Sequence, residues 1–479
     1  LKLDNYGVPL TPQPSDDPED PLNWSGIYRV FLLLQVSALA FLGTYNPAII
    51  NPALNELSAQ FGVSVITASY QTTVVIALNG ICPFIFIPFA NTYGRRPVYL
   101  VTTLIGSLSA LGCAYAQNFG QLVGLRVLNG IFPVAIALGV ATVNDLFCLH
   151  ERGRALGVYT VMASKCATGA HFAPIPGGLI GQFLGWQWVF KFAAITNSFC
   201  LIFIFFFLPE TLFFRELSVP SASTTSSGQS HFRRYLARMG FGKRFRKLRF
   251  GDFFLPYVKI IRYPTVVFPA IYYGTQYGLA SALPAVTVSH IFAQEFGWDT
   301  LQIGLAYGTS LLIGAFLGET AGGWVVDSLM NRARRRAGPS APCEIRLKAV
   351  WTGEIIVPVG LLWYGFSIQF GAPWIVPILG MGVACFGLQC ITTVIADCHS
   401  SDMAEVAQVF NFIRQEIAMT FAFYAIVLGE AMGGYHWLFI FFAGVGSILA
   451  FIPILVLMWK GEAIRAWENR DYKISSEYS

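Results

Sequence analysis

Apolar residues fall into twelve runs, each long enough to cross the ~30 Å apolar core of a bilayer as an α-helix. Polar stretches rich in glycine, proline and basic residues separate the runs. Runs of this length with few charges predict transmembrane helices. The predicted spans are 27–49, 66–90, 98–116, 120–143, 155–182, 188–208, 264–291, 303–327, 347–370, 373–396, 403–428 and 434–459.

The composition supports a membrane protein. Of the 479 residues, 55% are hydrophobic and only 12% are charged, about half the charge of an average soluble domain. A soluble core could not bury that much apolar surface, so the bilayer must solvate part of it. The fold class predicted is an all-α polytopic membrane protein. The cysteines lie mostly inside apolar runs, which favours packed thiols over a disulfide framework or a metal cluster.

The positions of Lys and Arg predict the orientation. If the N-terminus is cytosolic, the Lys and Arg residues lie in or beside cytosolic segments except for four: Arg126, Lys165, Lys191 and Arg414. Cytosolic loops of membrane proteins carry such an excess of basic residues. We therefore expect both termini in the cytosol and a multi-pass protein of the plasma membrane.

The span pattern divides the chain into five segments, and we expect a monomer. They are a disordered cytosolic tail (1–26), a six-helix bundle (27–208), a basic cytosolic linker (209–263), a second six-helix bundle (264–459) and a cytosolic C-terminal tail (460–479). The linker mixes basic and aromatic residues, which favours contact with anionic lipid headgroups. Beside a membrane, nucleic acid is not an expected partner.

The two bundles repeat one loop. "PFANTYGRRP" follows the second span, and "GWVVD" with "SLMNRARRR" follows the eighth, so each has a polar residue, a turn and arginines. Other motifs occur in order: "DPEDPLNW", "LRVLNG", "NDLFCLHERGRALG", "GAHFAPIPGG", "GWQWVF" and "LPET". Together these resemble the major facilitator superfamily, within it the fungal twelve-helix drug:proton antiporter branch. The resemblance implies two pseudo-symmetric six-helix bundles and secondary transport without enzymatic activity.

Four positions depart from the patterns of that family. Asn91 stands where the family has Asp, Ile87 and Ala173 stand where it has Gly, and Gln187 stands where it has Arg. In the family, the Asp of this loop helps to latch the halves together near the N-terminus of span eleven. The loss of its charge at Asn91 predicts a weaker latch, with Asp327 keeping the charge in the second half.

Charges within the spans are candidate sites, because a bilayer tolerates them only when they are paired or hydrated. The candidates for proton coupling or substrate binding are Arg126, Lys165, Glu319, Arg414 and Glu416. Each could instead form a structural ion pair. Proton coupling needs a carboxylate whose proton affinity changes with its surroundings, so Glu319 or Glu416 facing Arg126 or Lys165 would suit it. Resemblance implies a coupling role for Arg126.

Distance along the helix predicts how deep three of these charges and one further carboxylate lie in the bilayer. Lys165, Arg414 and Glu416 lie ~15–20 Å into their helices at 1.5 Å per residue, which is near the midplane. Glu354 lies nearer a helix end, close to Arg346 and Lys348, and a structural pair at the inner surface is the favoured interpretation.

A second set of residues is expected to shape conformational change: Asn91, Gly94, Arg95, Arg96, Asp327, Pro174 and Gly178. Gly94 permits the turn, and Arg95 with Arg96 are expected to face lipid headgroups. Proline and glycine in span five predict a bend. His171 could be a packed side chain or a proton carrier. Aromatic residues that could line an apolar cavity are Tyr45, Tyr70, Tyr272, Tyr273, Tyr277, Trp363 and Tyr424.

Three functions remain open. The first is proton-coupled efflux of a drug-like compound or secondary metabolite by alternating access. The second is proton-coupled uptake of an organic cation such as a polyamine. The third is a sensor that does not transport. No nucleotide-binding loop, metal cluster or nucleophile–base pair stands out in the sequence, so no cofactor, metal or catalytic residue is expected.

Overall fold

The protein is described by a computed structural model over residues 9–160, 169–213, 247–337, 347–395 and 403–477. Its helices follow the apolar runs. In the first half they are α1 (Gly26–Ala48), α2 (Leu54–Phe61), α3 (Val65–Tyr93), α4 (Arg95–Ala114), α5 (Phe119–Asn129), α6 (Val134–Leu146), α7 (Leu149–Thr160), α8 (Gly169–Phe172), α9 (Pro174–Leu184) and α10 (Trp186–Phe207).

Further helices form the second half: α11 (Leu255–Ile261), α12 (Pro264–Tyr277), α13 (Leu283–Phe296), α14 (Thr300–Ala337), α15 (Val350–Gln369), α16 (Ile375–Ile395), α17 (Met403–Ala431), α18 (Tyr435–Gly444) and α19 (Ile452–Glu477). One π-helical turn, Gly278–Ala282, joins α12 to α13, and another, Val445–Leu449, joins α18 to α19.

These helices confirm the predicted all-α fold with twelve crossings. Eight helices in the described chain are long and apolar enough to span a membrane by themselves. Proline interrupts the helix within two crossings: Pro133 separates α5 from α6 within the span Phe119–Leu146, and Pro174 begins α9. Proline removes a backbone donor and clashes with the preceding turn, which accounts for these breaks.

Local sequence explains where several helices begin. The side chains of Ser25, Ser64 and Asn118 accept hydrogen bonds from the first-turn N–H groups of α1, α3 and α5. Such caps satisfy donors that have no partner within the helix. Between α3 and α4 the chain reverses at Gly94, whose φ of 106° lies in the region that favours glycine.

Apolar packing forms two large clusters. One joins buried residues between Trp24 and Leu208, and the other joins buried residues between Tyr272 and Ile454. Each cluster therefore belongs to one half of the chain, as parallel repeats of six helices would require. Many large apolar side chains at the periphery are exposed, among them Phe199, Ile202 and Trp459. A bilayer is the environment that such a surface requires.

The two ends of the helix array differ in charge. We call the end that holds Arg95, Arg152 and Lys348 the basic end, and the opposite end, where α1 passes into α2, the distal end. At the distal end the halves are joined by polar contacts. The Asn55 side-chain amide donates to the Ser289 carbonyl oxygen at 2.7 Å, the Ser289 hydroxyl donates to the Asn51 carbonyl oxygen at 2.5 Å, and the Thr300 hydroxyl donates to the Glu56 carboxylate at 2.5 Å.

Residues 9–24 differ from the expectation of a disordered tail. Asp20 is fully buried and accepts hydrogen bonds from the Ser15 and Leu22 N–H groups. The Thr11 carbonyl accepts from the N–H of Leu149 at the start of α7. Similarly, α19 continues as a helix to Glu477, beyond the predicted end of span twelve at residue 459. Most of the basic linker, residues 214–246, lies outside the described residues.

Candidate functional site

Arg126 is 1% exposed, and its hydrogen bonds join three spans. Its Nε donates to the Gln71 carbonyl at 3.3 Å, and its two terminal nitrogens donate to the Pro47 carbonyl and the Asn129 side chain at 3.2 Å each. The guanidinium carbon lies 5.3 Å from the centre of the Phe190 ring. Neutral groups therefore hold this arginine, and it does not bond to Glu319 or Glu416 in the described structure.

Arg414 packs on tyrosines of its own half. Its guanidinium carbon lies 4.8 Å from the centre of the Tyr277 ring and 5.9 Å from that of Tyr273. One terminal nitrogen donates to the Asn411 side chain at 2.7 Å, and Asn411 donates to the Asn79 carbonyl of α3 at 3.1 Å. Arg414 therefore belongs to a cluster that touches both halves, and two of the predicted aromatic residues lie in it.

Glu416 faces the other half at the contact between α17 and α3. A Cβ atom built on Gly80 would lie 2.7 Å from Oε1 of Glu416, so the carboxylate is directed at the glycine backbone of α3. This Oε1 atom is buried and has no hydrogen-bond partner in the described structure. A buried polar atom without a partner is costly and rare in proteins. The carboxyl is therefore placed where separation of the two helices would change its hydration.

Glu354 is buried and bonds to α12. Its side chain is 5% exposed, and its carboxylate accepts hydrogen bonds from the Tyr272 hydroxyl at 2.5 Å and the Gln276 amide at 3.3 Å. Lys348 is exposed, and Arg346 lies outside the described residues. The sequence could not show that α12 supplies these two neutral donors. The favoured interpretation, a structural pair at the inner surface, stays a prediction.

Two further charged candidates and Asp327 complete the predicted set. Lys165 lies outside the described residues. Glu319 is half-buried on α14, and Asp327 is exposed two turns further along the same helix. Of the other predicted aromatics, Tyr70 packs on Phe423 across the halves with ring centres 5.2 Å apart, whereas Trp363 is 40% exposed.

Pro174 and Gly178 lie at a close contact between the halves. A Cβ atom on Gly178 would lie 2.8 Å from the Thr300 carbonyl oxygen and 3.0 Å from the Gly304 Cα of α14. A Cβ atom on Gly304 would lie 2.5 Å from the Pro174 carbonyl oxygen. Glycine on both helices therefore permits backbone contact that larger side chains would prevent.

The Gly94 turn forms a cluster of charged residues inside the first half. Arg95 Nε donates to Asp145 at 3.1 Å, and its terminal nitrogen donates to the Asn91 side chain at 2.5 Å. The Glu210 carboxylate accepts from the backbone N–H groups of Arg95 and Arg96 at 2.9 and 3.2 Å. An acidic side chain at a helix N-terminus is favoured by the helix dipole. Sequence reasoning missed Asp145 and Glu210 as members of this cluster.

The two arginines of the turn are buried, with exposed fractions of 7% for Arg95 and 1% for Arg96. A terminal nitrogen of Arg96 donates to the Phe205 carbonyl at 2.7 Å. The structure thus differs from the expectation that both face lipid headgroups, because acceptors of α6, α10 and the segment after α10 lie close enough to hold them. Burial raises the pKa of the Glu210 carboxyl above its ordinary value, although the three backbone N–H groups that it accepts from and the charge of Arg95 oppose the shift.

We expect Asn91→Asp to populate a distal-open form more than the parent chain does, because a restored charge would strengthen the latch at the basic end. The expected change is about 0.5–1 kcal/mol, roughly two- to fivefold in population. Nitroxide labels on cysteines at Gln60 and Gln294, exposed positions of α2 and α13, would report it as a longer distance in a variant without native cysteines. An unchanged distance distribution would contradict the latch.

The fold and the buried charges indicate the class of protein, a polytopic membrane transporter with two six-helix halves. Comparison with known proteins agrees with this class. The model of the Major Facilitator Superfamily matches residues 36–423, and the protein belongs to this superfamily. It is a transporter of small organic compounds and not an enzyme.

Similar proteins are found among fungal transporters. The MFS-type transporter tndD of Aspergillus flavipes is 27% identical over 92% of this chain and 81% of its own length. The efflux pump vrtL of Penicillium aethiopicum is 28% identical over 92% of this chain and 85% of its own length. Among solved structures, a bacterial homologue of the human lysosomal transporter Spinster shares the fold, with 16% identity, a TM-score of 0.56 and coverage of 93% of this chain and 98% of that one.

Proposed function

We propose that this transporter exports a drug-like compound or secondary metabolite in exchange for protons. The observation that carries the proposal is Glu416, whose Oε1 atom is buried without a hydrogen-bond partner at the contact of α17 with α3. An isolated carboxylate is costly in such a place. A proton would therefore stay on Glu416 while the helices are in contact and leave when their separation hydrates the carboxyl. Movement of the two halves thereby couples to proton binding.

Two features support export. Relatives that cover most of this chain include proteins named efflux pumps. The excess of Lys and Arg at the basic end favours placing that end in the cytosol. In this orientation both termini are cytosolic, and a plasma-membrane location would let the compound leave the cell.

The charges near Glu416 support a neutral or anionic substrate. Arg414 lies against the rings of Tyr273 and Tyr277, which together offer a cation and aromatic faces to a flat organic molecule. Arg126 is bonded to neutral acceptors and serves in this proposal to hold the first, second and fourth spans together.

Uptake of an organic cation is the second candidate. The partnerless Oε1 of Glu416 could accept from an ammonium group, and Glu319 on α14 provides another half-buried carboxyl. Uptake would require the compound to move towards the basic end together with protons. The direction of accumulation under a known pH gradient distinguishes the two candidates.

Each predicted segment has a role in this transport cycle. The halves 27–208 and 264–459 move against each other, and 209–263 joins them as a cytosolic linker in a monomeric protein. In the described part of the linker, Lys247, Arg249, Lys259 and Arg262 are exposed beside exposed Phe250, Phe254 and Leu255. Basic and apolar side chains in such a mixture suit anionic headgroups.

Flux in inverted vesicles with an acidic lumen tests the function. The tracers are compounds that accumulate in a strain lacking the gene. We expect tracer accumulation in the lumen, and Glu416→Gln is expected to lower it to the level of vesicles without the protein, because glutamine cannot release a proton. Exchange of tracer against unlabelled compound without a pH gradient should persist in this variant.

Glu430→Gln is the matched control, since Glu430 lies on the same helix but is exposed at the distal end. We expect its flux to equal that of the parent. Gradient-driven flux that survives both Glu319→Gln and Glu416→Gln would contradict the coupling assignment. Accumulation only under the opposite gradient would favour uptake, and no flux of any tracer would favour a sensor.

A further inference from the structure

The segment that leads into the seventh span lies across the contact of the two halves. Residues 247–262, which we call the strap, contain the short helix α11. Tyr257 and Ile260 are the buried residues of this helix. They form one apolar cluster with Val409 of α17, and Phe84 of α3 packs against that cluster. The strap is thus seated on both halves at once.

Aromatic rings join the strap to the two helices. The Tyr257 and Phe84 rings meet edge to face with ring centres 4.3 Å apart, and the Phe253 and Phe89 rings meet at 5.6 Å. Phe84 also meets Phe412 of α17 edge to face at 5.1 Å. Edge-to-face contact is a preferred arrangement of aromatic pairs. The series Tyr257, Phe84 and Phe412 therefore links the strap, α3 and α17, and it is complete only while α3 and α17 touch.

The same two helices enclose Glu416. A Cβ atom on Gly80 would lie 2.7 Å from Glu416 Oε1 and 3.5 Å from the Phe412 carbonyl oxygen. Phe84 lies four residues after Gly80 on α3, and Phe412 lies four residues before Glu416 on α17. The contact of the two rings is therefore about one helical turn, ~5.4 Å, from the carboxyl on the side of the basic end. A stronger ring contact would hold the helices together around Glu416.

The outer face of the strap suits the surface of a bilayer. Its large apolar side chains are 46–82% exposed, namely Phe250, Phe254, Leu255, Val258 and Ile261. Its four basic side chains are exposed as well, namely Lys247, Arg249, Lys259 and Arg262. Asp252 is the only acidic residue in the strap sequence. Because α12 begins a span at Pro264, this face lies where headgroups meet the apolar core, and its charge complements anionic lipid.

We propose that anionic lipid at the basic end regulates the transporter through the strap. Headgroups hold the outer face at the surface, which keeps the inner face seated on α3 and α17. A segment that is already held at the surface loses less conformational freedom when it is seated, so lipid binding and seating favour each other.

This inference rests on the proposed proton exchange and adds its regulation. In that exchange, the proton leaves Glu416 when α3 and α17 separate. The seated strap opposes this separation, because separation breaks the contact between Phe84 and Phe412 on which Tyr257 rests. Anionic lipid therefore favours the form in which the basic end is closed.

Distances across the basic end test the strap without any substrate. Nitroxide labels on cysteines at His150 of α7 and Ser328 of α14, exposed positions in opposite halves, are placed in a variant without native cysteines. They are measured by pulsed electron paramagnetic resonance in nanodiscs of phosphatidylcholine, with or without phosphatidylserine. We expect phosphatidylserine to raise the short-distance population about fivefold or more, the effect of one basic residue at such a surface.

Two variants separate the outer face of the strap from its inner face. Lys259→Gln combined with Arg262→Gln should reduce the response to less than about twofold, because these charges lie on and beside α11. Tyr257→Ala should also lose the distance response, although its strap still contacts lipid. A nitroxide at Val258, an exposed position of α11, would report that contact by its access to oxygen in the bilayer.

Arg332→Gln combined with Arg335→Gln is the matched control, because both arginines are exposed on α14 at the basic end but do not belong to the strap. We expect this variant to retain the lipid response. A response that persists in either strap variant, is lost in the control or is absent in the parent would overturn the proposal. A Val258 label without access to oxygen in the parent would do the same. Flux distinguishes the two claims: absent flux with an intact lipid response contradicts the exchange, whereas intact flux with an absent response contradicts the strap.

Discussion

Gly178→Leu is expected to open the distal end of the transporter and to abolish its flux. A Cβ atom at this position would meet the Thr300 carbonyl oxygen at 2.8 Å and the Gly304 Cα at 3.0 Å. These are backbone atoms, so no side-chain rotation can make room, and α9 must separate from α14. Overpacking at a close contact costs about 1–3 kcal/mol. That cost would lower the distal-closed population by roughly 5- to 150-fold.

The Gln60 and Gln294 labels should therefore report mostly long distances in Gly178→Leu at pH 8. Gly124→Leu provides a matched control, because Gly124 is an exposed glycine of α5 with no atom within 4 Å of an added Cβ. Its distances and flux should equal those of the parent. If Gly178→Leu folds and keeps the short distance, the contact between α9 and α14 is not what holds the distal end closed.

Much of the fold was predictable because the bilayer imposes a simple rule on sequence. Each crossing must be helical and apolar for about twenty residues, so apolar runs alone placed twelve spans close to the observed helices. Breaks within spans were partly predictable as well. Pro174 predicted the bend that separates α8 from α9, since proline cannot continue the hydrogen-bond ladder.

The partners of the charged residues were not predictable, because they come from distant parts of the chain. Arg95 and Arg96 stand beside a span, and composition assigned them to the headgroups. Their backbone N–H groups instead meet Glu210, 115 and 114 positions later, and Asp145 is 50 positions from Arg95. The motifs quoted above did include both acidic residues, since "LPET" contains Glu210 and "NDLFC" contains Asp145. The motifs alone, however, do not indicate that these residues contact the Gly94 turn.

The same limit applies to the candidate site. Sequence marked Arg126 and Glu416 as charges within spans, and it suggested that Glu319 or Glu416 faces Arg126 or Lys165 across a cavity. In the described structure Arg126 bonds to neutral oxygens, whereas Glu416 faces a glycine. Hydrophobic periodicity gives the depth of a residue along its helix but not which helix it faces, and that orientation decides whether a buried charge serves structure or coupling.

Arg126→Met is expected to destabilise the transporter. Methionine has a similar length but leaves the Pro47 and Gln71 carbonyls and the Asn129 side chain without their donor in a buried region. Each unsatisfied buried polar group costs about 1–3 kcal/mol. We therefore expect the free energy of unfolding to fall by roughly 2–5 kcal/mol, seen as a lower midpoint of thermal unfolding in detergent.

Arg126→Lys separates the structural role from a role in coupling. Lysine keeps the charge, but its compact ammonium cannot reproduce the planar fork that reaches three acceptors on two other spans and its own. If Arg126 mainly joins spans, both variants lose stability, and the flux that remains per folded molecule keeps the pH dependence of the parent. If the charge itself couples protons, Arg126→Lys retains pH-dependent flux whereas Arg126→Met loses it at equal folded amount. Unchanged thermal stability in Arg126→Met would show that the three hydrogen bonds contribute little to the fold.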